Sequence, residues 1–576
     1  MNMCRRAHPA IFLVAAILSG VPVGIYAGEL AATAAAMPES DPATRLGFGA
    51  GVAAAMHGID AQRIRAHVRF LSDDLLEGRG TGQRGGDIAA RYIASQFEQL
   101  GLRPAGDDGT YLQKVDFGGV LTLPDTQVSL VPADGQPIDL RLGDDYVTNN
   151  QTQTDSVDID AGIVFAGFGI DAPEYRWNDF KGVDVKGKVI LVIVNEPPSA
   201  DPKFFAADAM TYYGRWTDKF EQAARKGAVG ALIIHRTDLA SYGWDVVKNS
   251  WTNEQVYFRG DRDPKLQAAS WLHLEAARKL FAAAGLKLDD MIAAAGKRGF
   301  KARALPVRFK AHIVSRVRQF TAYNVLGLLP GSQPGLASQA VIFSAHYDHL
   351  GMDASLTGDQ IFNGAVDNGT GCGMLLELAH AFATATVRPP HPVLFASVTA
   401  EEKGLIGSNY LGQHLPFAPA RAALNLNFDA IKPAGIPESV TVAGAERTTF
   451  YPTVEKTARA FNFEVQRDPE PGAGHYYRSD HFSFARRGVP GFSISPGTKF
   501  VGETLAWGKA LAEDYTARNY HRPSDEYADS MDFTSNALMA KFGFALAWQA
   551  LNAADTVQWL PGDEFEAARL KGDSPH

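Results

Sequence analysis

Residues 340–348 read Ala340-Val341-Ile342-Phe343-Ser344-Ala345-His346-Tyr347-Asp348. Six residues suited to a strand buried on both faces run directly into an imidazole and, two residues later, a carboxylate. The pattern repeats downstream. Pro392-Val393-Leu394-Phe395-Ala396-Ser397-Val398 is a second buried strand, followed by Thr399-Ala400-Glu401-Glu402. Ala422-Ala423-Leu424-Asn425-Leu426-Asn427-Phe428 is a third, ending at Asp429. A helix is predicted from Gly371 to about Thr384. Continuous apolar strands alternating with helices predict an α/β fold with a mixed, largely parallel sheet flanked by helices. In such a sheet the ligand site lies beyond the carboxyl ends of the strands. Three strands therefore deliver His346, Glu401-Glu402 and Asp429 to one edge.

Asp367-Asn368 and His521 complete an ordered set of two imidazoles, two neighbouring glutamates and two separated aspartates. Those are the parts of a two-metal hydrolytic centre, in which ions roughly 3.5–4 Å apart act on one carbonyl. Imidazole and carboxylate donors suit zinc. His346, Asp367, Glu402, Asp429 and His521 supply six contacts if one carboxylate bridges. Glu401 stands beside a ligand but faces differently, which suits a general base. If the backbone after His346 is extended, Asp348 lies on the same side and can hold the second imidazole nitrogen. His349, His380, His391, His414 and His475 are read as supporting, surface or core residues.

The chain has 576 residues, 46% apolar and 21% charged, with a net charge of −9. This length implies two to four domains. The acidic balance speaks against nucleic acid as a partner. Arg5-Arg6, an apolar stretch from Ala10 to about Val23 and Ile25-Tyr26-Ala27 have the form of a secretory signal peptide, expected over 1–27. No later segment has the ~20 apolar residues of a spanning helix, so no stable membrane span and a periplasmic or secreted location are expected. Cys4 would leave with the signal, and Cys372 is read as a small buried helix residue.

Residues 28–48 are expected to be a flexible leader, and 49–119 the first part of the catalytic domain. Helices are predicted from about Asp60 and from about Asp87 to Leu100, the second closed by Gly101. Glu77-Gly78-Arg79-Gly80-Thr81-Gly82 between them lacks phosphate-loop spacing and is read as a connection only. Residues 120–312 are β-rich, with runs such as Lys188-Val189-Ile190-Leu191-Val192-Ile193-Val194, and are read as an inserted module without a ligand cluster of its own. The catalytic part is expected over 313–555 and a tail over 556–576.

The motifs Ser344-Ala345-His346-Tyr347-Asp348, Gly364-Ala365-Val366-Asp367-Asn368-Gly369, Thr399-Ala400-Glu401-Glu402, Asn427-Phe428-Asp429 and Tyr520-His521-Arg522-Pro523 together resemble the M28 family of zinc peptidases. That family includes secreted bacterial aminopeptidases and glutamate carboxypeptidase II. The resemblance implies two Zn2+ per chain. One is held by His346 and Asp429, the other by Glu402 and His521, with Asp367 bridging and Glu401 as base. It also implies a cis peptide at Asp367–Asn368. Arg478-Ser479-Asp480-His481 resembles the family's segment before the last strand, making Tyr476, Tyr477, Arg478 and Asp480 candidate substrate-binding residues. The β-rich insert resembles a protease-associated domain, which in related enzymes covers the cleft and limits substrate size.

The activity implied is that of an aminopeptidase acting on short peptides. A carboxypeptidase stays open through Arg478. A receptor-like binding protein that has lost its metals and a glutaminyl-cyclase-like acyl transferase are alternatives of other classes. The intact ligand set and Glu401 speak against the binding protein, and a cyclase needs a single zinc.

Overall fold

The computed structural model describes residues 41–572, apart from 200, 202–203, 206, 208, 260–261 and 334–338. The expected signal peptide and the leader up to 40 lie outside the described residues. The main strands of the catalytic sheet, in chain order, are β1 (Leu112–Thr122), β2 (Gln255–Phe258), β3 (Arg303–Leu329), β4 (Ala340–His346), β5 (Val393–Val398), β6 (Ala422–Asn427), β7 (Ser439–Ala443), β8 (Glu464–Gln466) and β9 (Gly491–Pro496). The helices that matter most are α1 (Ala61–Leu71), α2 (Arg84–Gln99), α3 (Trp244–Thr252), α4 (Gly371–Thr384) and α5 (Thr534–Leu551).

Spatially the strands run β2-β1-β3-β5-β4-β6-β9-β7-β8. The central four, β5, β4, β6 and β9, are parallel, as their unbroken apolar sequences require. Side chains alternate across β4. Val341, Phe343 and Ala345 join the core beneath α4 and α5, and Ile342 joins the opposite one with Leu394 and Phe484. Phe343 stacks between Phe395 and Phe428. Packing against buried aromatics on both flanks sets the height of β4, and with it the position of His346 at its end.

The insert has a sheet and a core of its own, centred on parallel strands Ser156–Phe165, Val189–Ile193, Gly230–Ile234 and Ala268–Leu272. The two sheets share β3. Its residues 303–314 pair within the insert, and from Ser315 onward it pairs with β1 and then β5. The insert is not a closed module, however. After α3, strand β2 leaves it and pairs with Phe117–Val120 of β1 in the catalytic sheet.

Two further expectations are corrected. The end of the expected leader is ordered: Pro42–Arg45 is a helical turn capped by Asp41, with Ala43 fully buried. In the expected tail, Val557, Trp559 and Phe565 are buried, and Trp559 Nε1 donates to Gly488 O. Apolar side chains in both stretches have neighbours to pack against that local sequence does not reveal. Among the described residues no helix is long and apolar enough to cross a membrane.

Candidate active site

The parallel register places His346 opposite Val398 and Ser344 opposite Asn427. The ends of β4, β5 and β6 are therefore level. Non-glycine residues with positive φ adjoin the segments of Glu401-Glu402 and Asp429 and include a ligand itself: Ala400 (56°), Ala430 (50°) and His521 (56°). Such backbone persists only where its surroundings enforce it, and it clusters at functional sites.

Five side chains converge there. His346 Nε2 lies 3.2 Å from Asp429 Oδ1 and 3.3 Å from Asp367 Oδ1. His521 Nε2 lies 3.0 Å from Glu402 Oε2 and 3.5 Å from Asp367 Oδ2. Asp367 thus offers one oxygen to each imidazole, and each imidazole has one further acid. The Asp367–Asn368 peptide is cis, as the family resemblance implies. Glu401 Oε2 stands farther off, 3.9 Å from His346 Nε2.

The electrostatics describe a pocket built for cations. Burial disfavours charge on both imidazoles, yet Asp429 and Glu401 raise His346 well above its usual value, and Glu402 with Asp367 carries His521 up to about 10. Burial, with Glu402, Asp429 and Asp480 nearby, pushes Glu401 well above the ordinary carboxylate range. His521 Nε2 makes no hydrogen bond despite its 3.0 Å approach to Glu402. Imidazole nitrogens and carboxylate oxygens converging on one another form a donor set that fits a zinc-type ion.

The surrounding residues hold these ligands. Asp348 does so differently from expectation: its backbone carbonyl, not its carboxylate, meets His346 Nδ1 at 3.0 Å. The chain turns after β4, and the carboxylate Oδ2 instead accepts from Thr81 Oγ1, Thr399 Oγ1 and Ala400 N. Asp348 is therefore a brace between the β4 and β5 loops. Asp525 accepts from the backbone of Val366 and Asp367. Ser479 Oγ donates to Asp429 Oδ2 at 2.5 Å and is itself reached by Asn427 Nδ2. His349 Nδ1 lies 2.6 Å from Glu402 Oε1, which makes it a supporting residue.

The Gly-rich loop at 77–82 is not a mere connection. Arg79 is buried, and its guanidinium donates to the carbonyls of Tyr347, Leu71, Asn363 and Gly364. It ties α1 to the loops bearing His346 and Asp367. Only the tertiary contacts reveal this, because the loop lies some 270 residues from its partner Tyr347.

The candidate substrate residues separate. Tyr476 OH donates to Gly491 O and Tyr477 OH to Glu564 Oε1, and both rings pack with Phe565 or Phe482. Asp480 is fully buried, and burial raises it to about 7. Tyr477 and Asp480 are buried and Tyr476 is half-buried in the body of the domain. Arg478 Nη2 donates to Ala240 O and Ser241 Oγ of the insert.

Arg215, which the sequence did not single out, is 9% exposed, and its Nε is buried without a hydrogen-bond partner among the described residues. Burial, then Arg478, pulls it down to about 10, while Glu401 acts in the opposite direction. It is a buried cation that lies over the Trp216 ring, 5.9 Å from the centroid, within electrostatic reach of Glu401. Tyr520, tilted 32° against the His521 ring with centroids 4.0 Å apart, is a second unsignalled residue and feels Asp367, Glu402 and Glu401.

An α/β sheet carries an acid and imidazole cluster at the level ends of its parallel strands, a donor set that could hold metal ions. Residues 324–544 match the family model "Peptidase family M28". The chain is 28% identical over 288 residues to leupeptin-inactivating enzyme 1 of Streptomyces exfoliatus, covering 47% of this chain and 59% of that protein, less than two thirds of its length. It is 25% identical over 473 residues to probable leucine aminopeptidase 2 of Aspergillus oryzae, covering 79% of each. Its fold matches that of the aminopeptidase from Aneurinibacillus sp. strain AM-1 with a TM-score of 0.52 at 18% identity, over 86% of this chain and 95% of that one.

Proposed function

We propose that the protein is a secreted di-zinc aminopeptidase that removes N-terminal residues from short peptides. The observation that carries this reading is Asp367, whose two oxygens face two different imidazoles. His346, Asp429 and Asp367 would hold one ion, and His521, Glu402 and Asp367 the other. Zinc at such a centre acidifies water and polarises a carbonyl. Glu401 takes the proton of the attacking water and returns it to the leaving amine. Tyr520 offers a neutral phenol at the edge of the acidic cluster for a substrate oxygen. The insert, read as protease-associated, closes one side of the cleft through Arg478 and α3.

The names of similar proteins favour the aminopeptidase reading. Arg215 and Arg478 favour a second one, in which a substrate carboxylate is bound beside Glu401 and the enzyme is a carboxypeptidase. Mass spectrometry of products from free and N-acetylated peptides separates the two. Cleavage from the N-terminus of unblocked peptides alone supports the aminopeptidase. Loss of C-terminal residues regardless of acetylation supports the alternative.

In either case Arg215 is expected to select short substrates with a free carboxylate. A charge-assisted hydrogen bond is worth about 1.5–3 kcal/mol, so tripeptide acids should show kcat/KM at least tenfold above the matching amides. Arg215→Met should bring acids down to the amides. Equal rates for both in the wild type would remove this role.

Metal removal gives a separate check. A ligand that binds only the folded state stabilises by about 4 kcal/mol at a thousandfold excess over its Kd. Chelation is therefore expected to abolish turnover and lower the melting temperature, and added zinc to restore both. Undiminished activity after exhaustive chelation would exclude the metal reading.

A further inference from the structure

Helix α3 of the insert rests against the loop that carries His521. Ser250 Oγ lies 2.8 Å from His521 Nδ1, and Asn249 Nδ2 donates to His521 O at 3.0 Å. One turn earlier, Asp245 accepts from Arg522 Nη2 at 3.0 Å. Three side chains on one helix face thus grip two consecutive residues. The gripped histidine has a φ of +56°, which is uncommon for any residue other than glycine.

The protons can be assigned from chemistry. Ser250 Oγ donates to Val246 O at 2.7 Å. A serine hydroxyl has one proton, so towards the imidazole Oγ acts as acceptor. His521 Nδ1 then donates to Oγ, and in the neutral imidazole that binds a metal this makes Nε2, turned towards Glu402 and Asp367, the nitrogen with the free lone pair. His346 reaches the same tautomer by another route, with Nδ1 on the carbonyl of Asp348. The catalytic segment sets one imidazole, and the insert sets the other.

We propose that Ser250 is a positioning residue for His521, so that the insert completes one of the two metal half-sites as well as bordering the cleft. This rests on the two-zinc reading above. Without Ser250 Oγ, Nδ1 loses its acceptor and the ring is free to turn or to exchange tautomer. Loss of such a partner typically weakens metal affinity 10- to 100-fold.

The test uses full-length wild type, Ser250→Ala and Ser250→Thr, loaded with zinc and titrated against a chromophoric chelator. Wild type is expected to hold two ions. Ser250→Ala should hold one of them about 10- to 100-fold more weakly and the other unchanged. Ser250→Thr keeps the hydroxyl and should retain both. Alanine is the stronger helix former, and circular dichroism with thermal melting of the metal-free proteins checks that the fold is intact. Two zinc ions held by Ser250→Ala with wild-type affinity would overturn the proposal. So would equal weakening of both, which marks general loosening. Fewer than two ions on wild type removes the two-zinc reading itself and the positioning role with it.

Discussion

Glu401→Gln is expected to lower kcat by about 10²–10⁴-fold, the usual contribution of a positioned general base, with zinc content unchanged. The separation of effects comes from geometry. Glu401 Oε2 is 3.9 Å from His346 Nε2, whereas Asp429 and Asp367 approach to 3.2 and 3.3 Å. Glutamine preserves shape and cannot accept the proton. His346, Glu401 and Asp429 also form a compact triad that could hold a metal by itself. In that arrangement Glu401 would be a ligand, and its amide variant would lose zinc. Measuring zinc per chain beside kcat therefore decides between base and ligand. Wild-type turnover by Glu401→Gln would remove both roles. Asp429→Ala or His521→Ala should behave in the opposite way, losing metal first and activity as a consequence.

Arg79→Met should produce the largest loss of stability. The variant leaves the carbonyls of Leu71, Tyr347, Asn363 and Gly364 without their donor in a buried setting. Each buried acceptor left unsatisfied costs about 1–3 kcal/mol. Recovered desolvation of the guanidinium offsets part of this, so a net loss of about 3 kcal/mol or more is expected. Because Arg79 spans the loops bearing His346 and Asp367, zinc affinity should fall as well. Arg79→Lys should recover little, since one ammonium cannot reach carbonyls spread across a planar fork. Urea unfolding of the metal-free variants measures the effect, and a change within 0.5 kcal/mol, the range of ordinary surface substitutions, would mean the loop is a connection after all.

The sequence by itself determined the catalytic sheet and the identity of the converging residues. β4, β5 and β6 are continuous apolar runs with ionisable residues at their ends, and such a pattern has few solutions besides parallel strands with a site beyond their carboxyl ends. His346, Glu402 and Asp429 were legible for that reason. Asp367 and His521, which lie in loops, were legible through their order and motifs. What the sequence left open belongs to contacts between distant segments. The carboxylate of Asp348 turned to Thr81 and Ala400, and its carbonyl took the imidazole, because the backbone bends after His346. Arg79 in a glycine-rich loop and Arg215 at the start of an insert helix have no local pattern that marks them as buried. Tyr476 and Tyr477 share a segment with Arg478, yet their hydroxyls found partners in the domain body. Ser250 reaches His521 from 271 positions away in the chain. Periodicity records which face of an element is apolar. Which polar group meets which is decided only when separate elements close on one another and every buried donor and acceptor must find a partner.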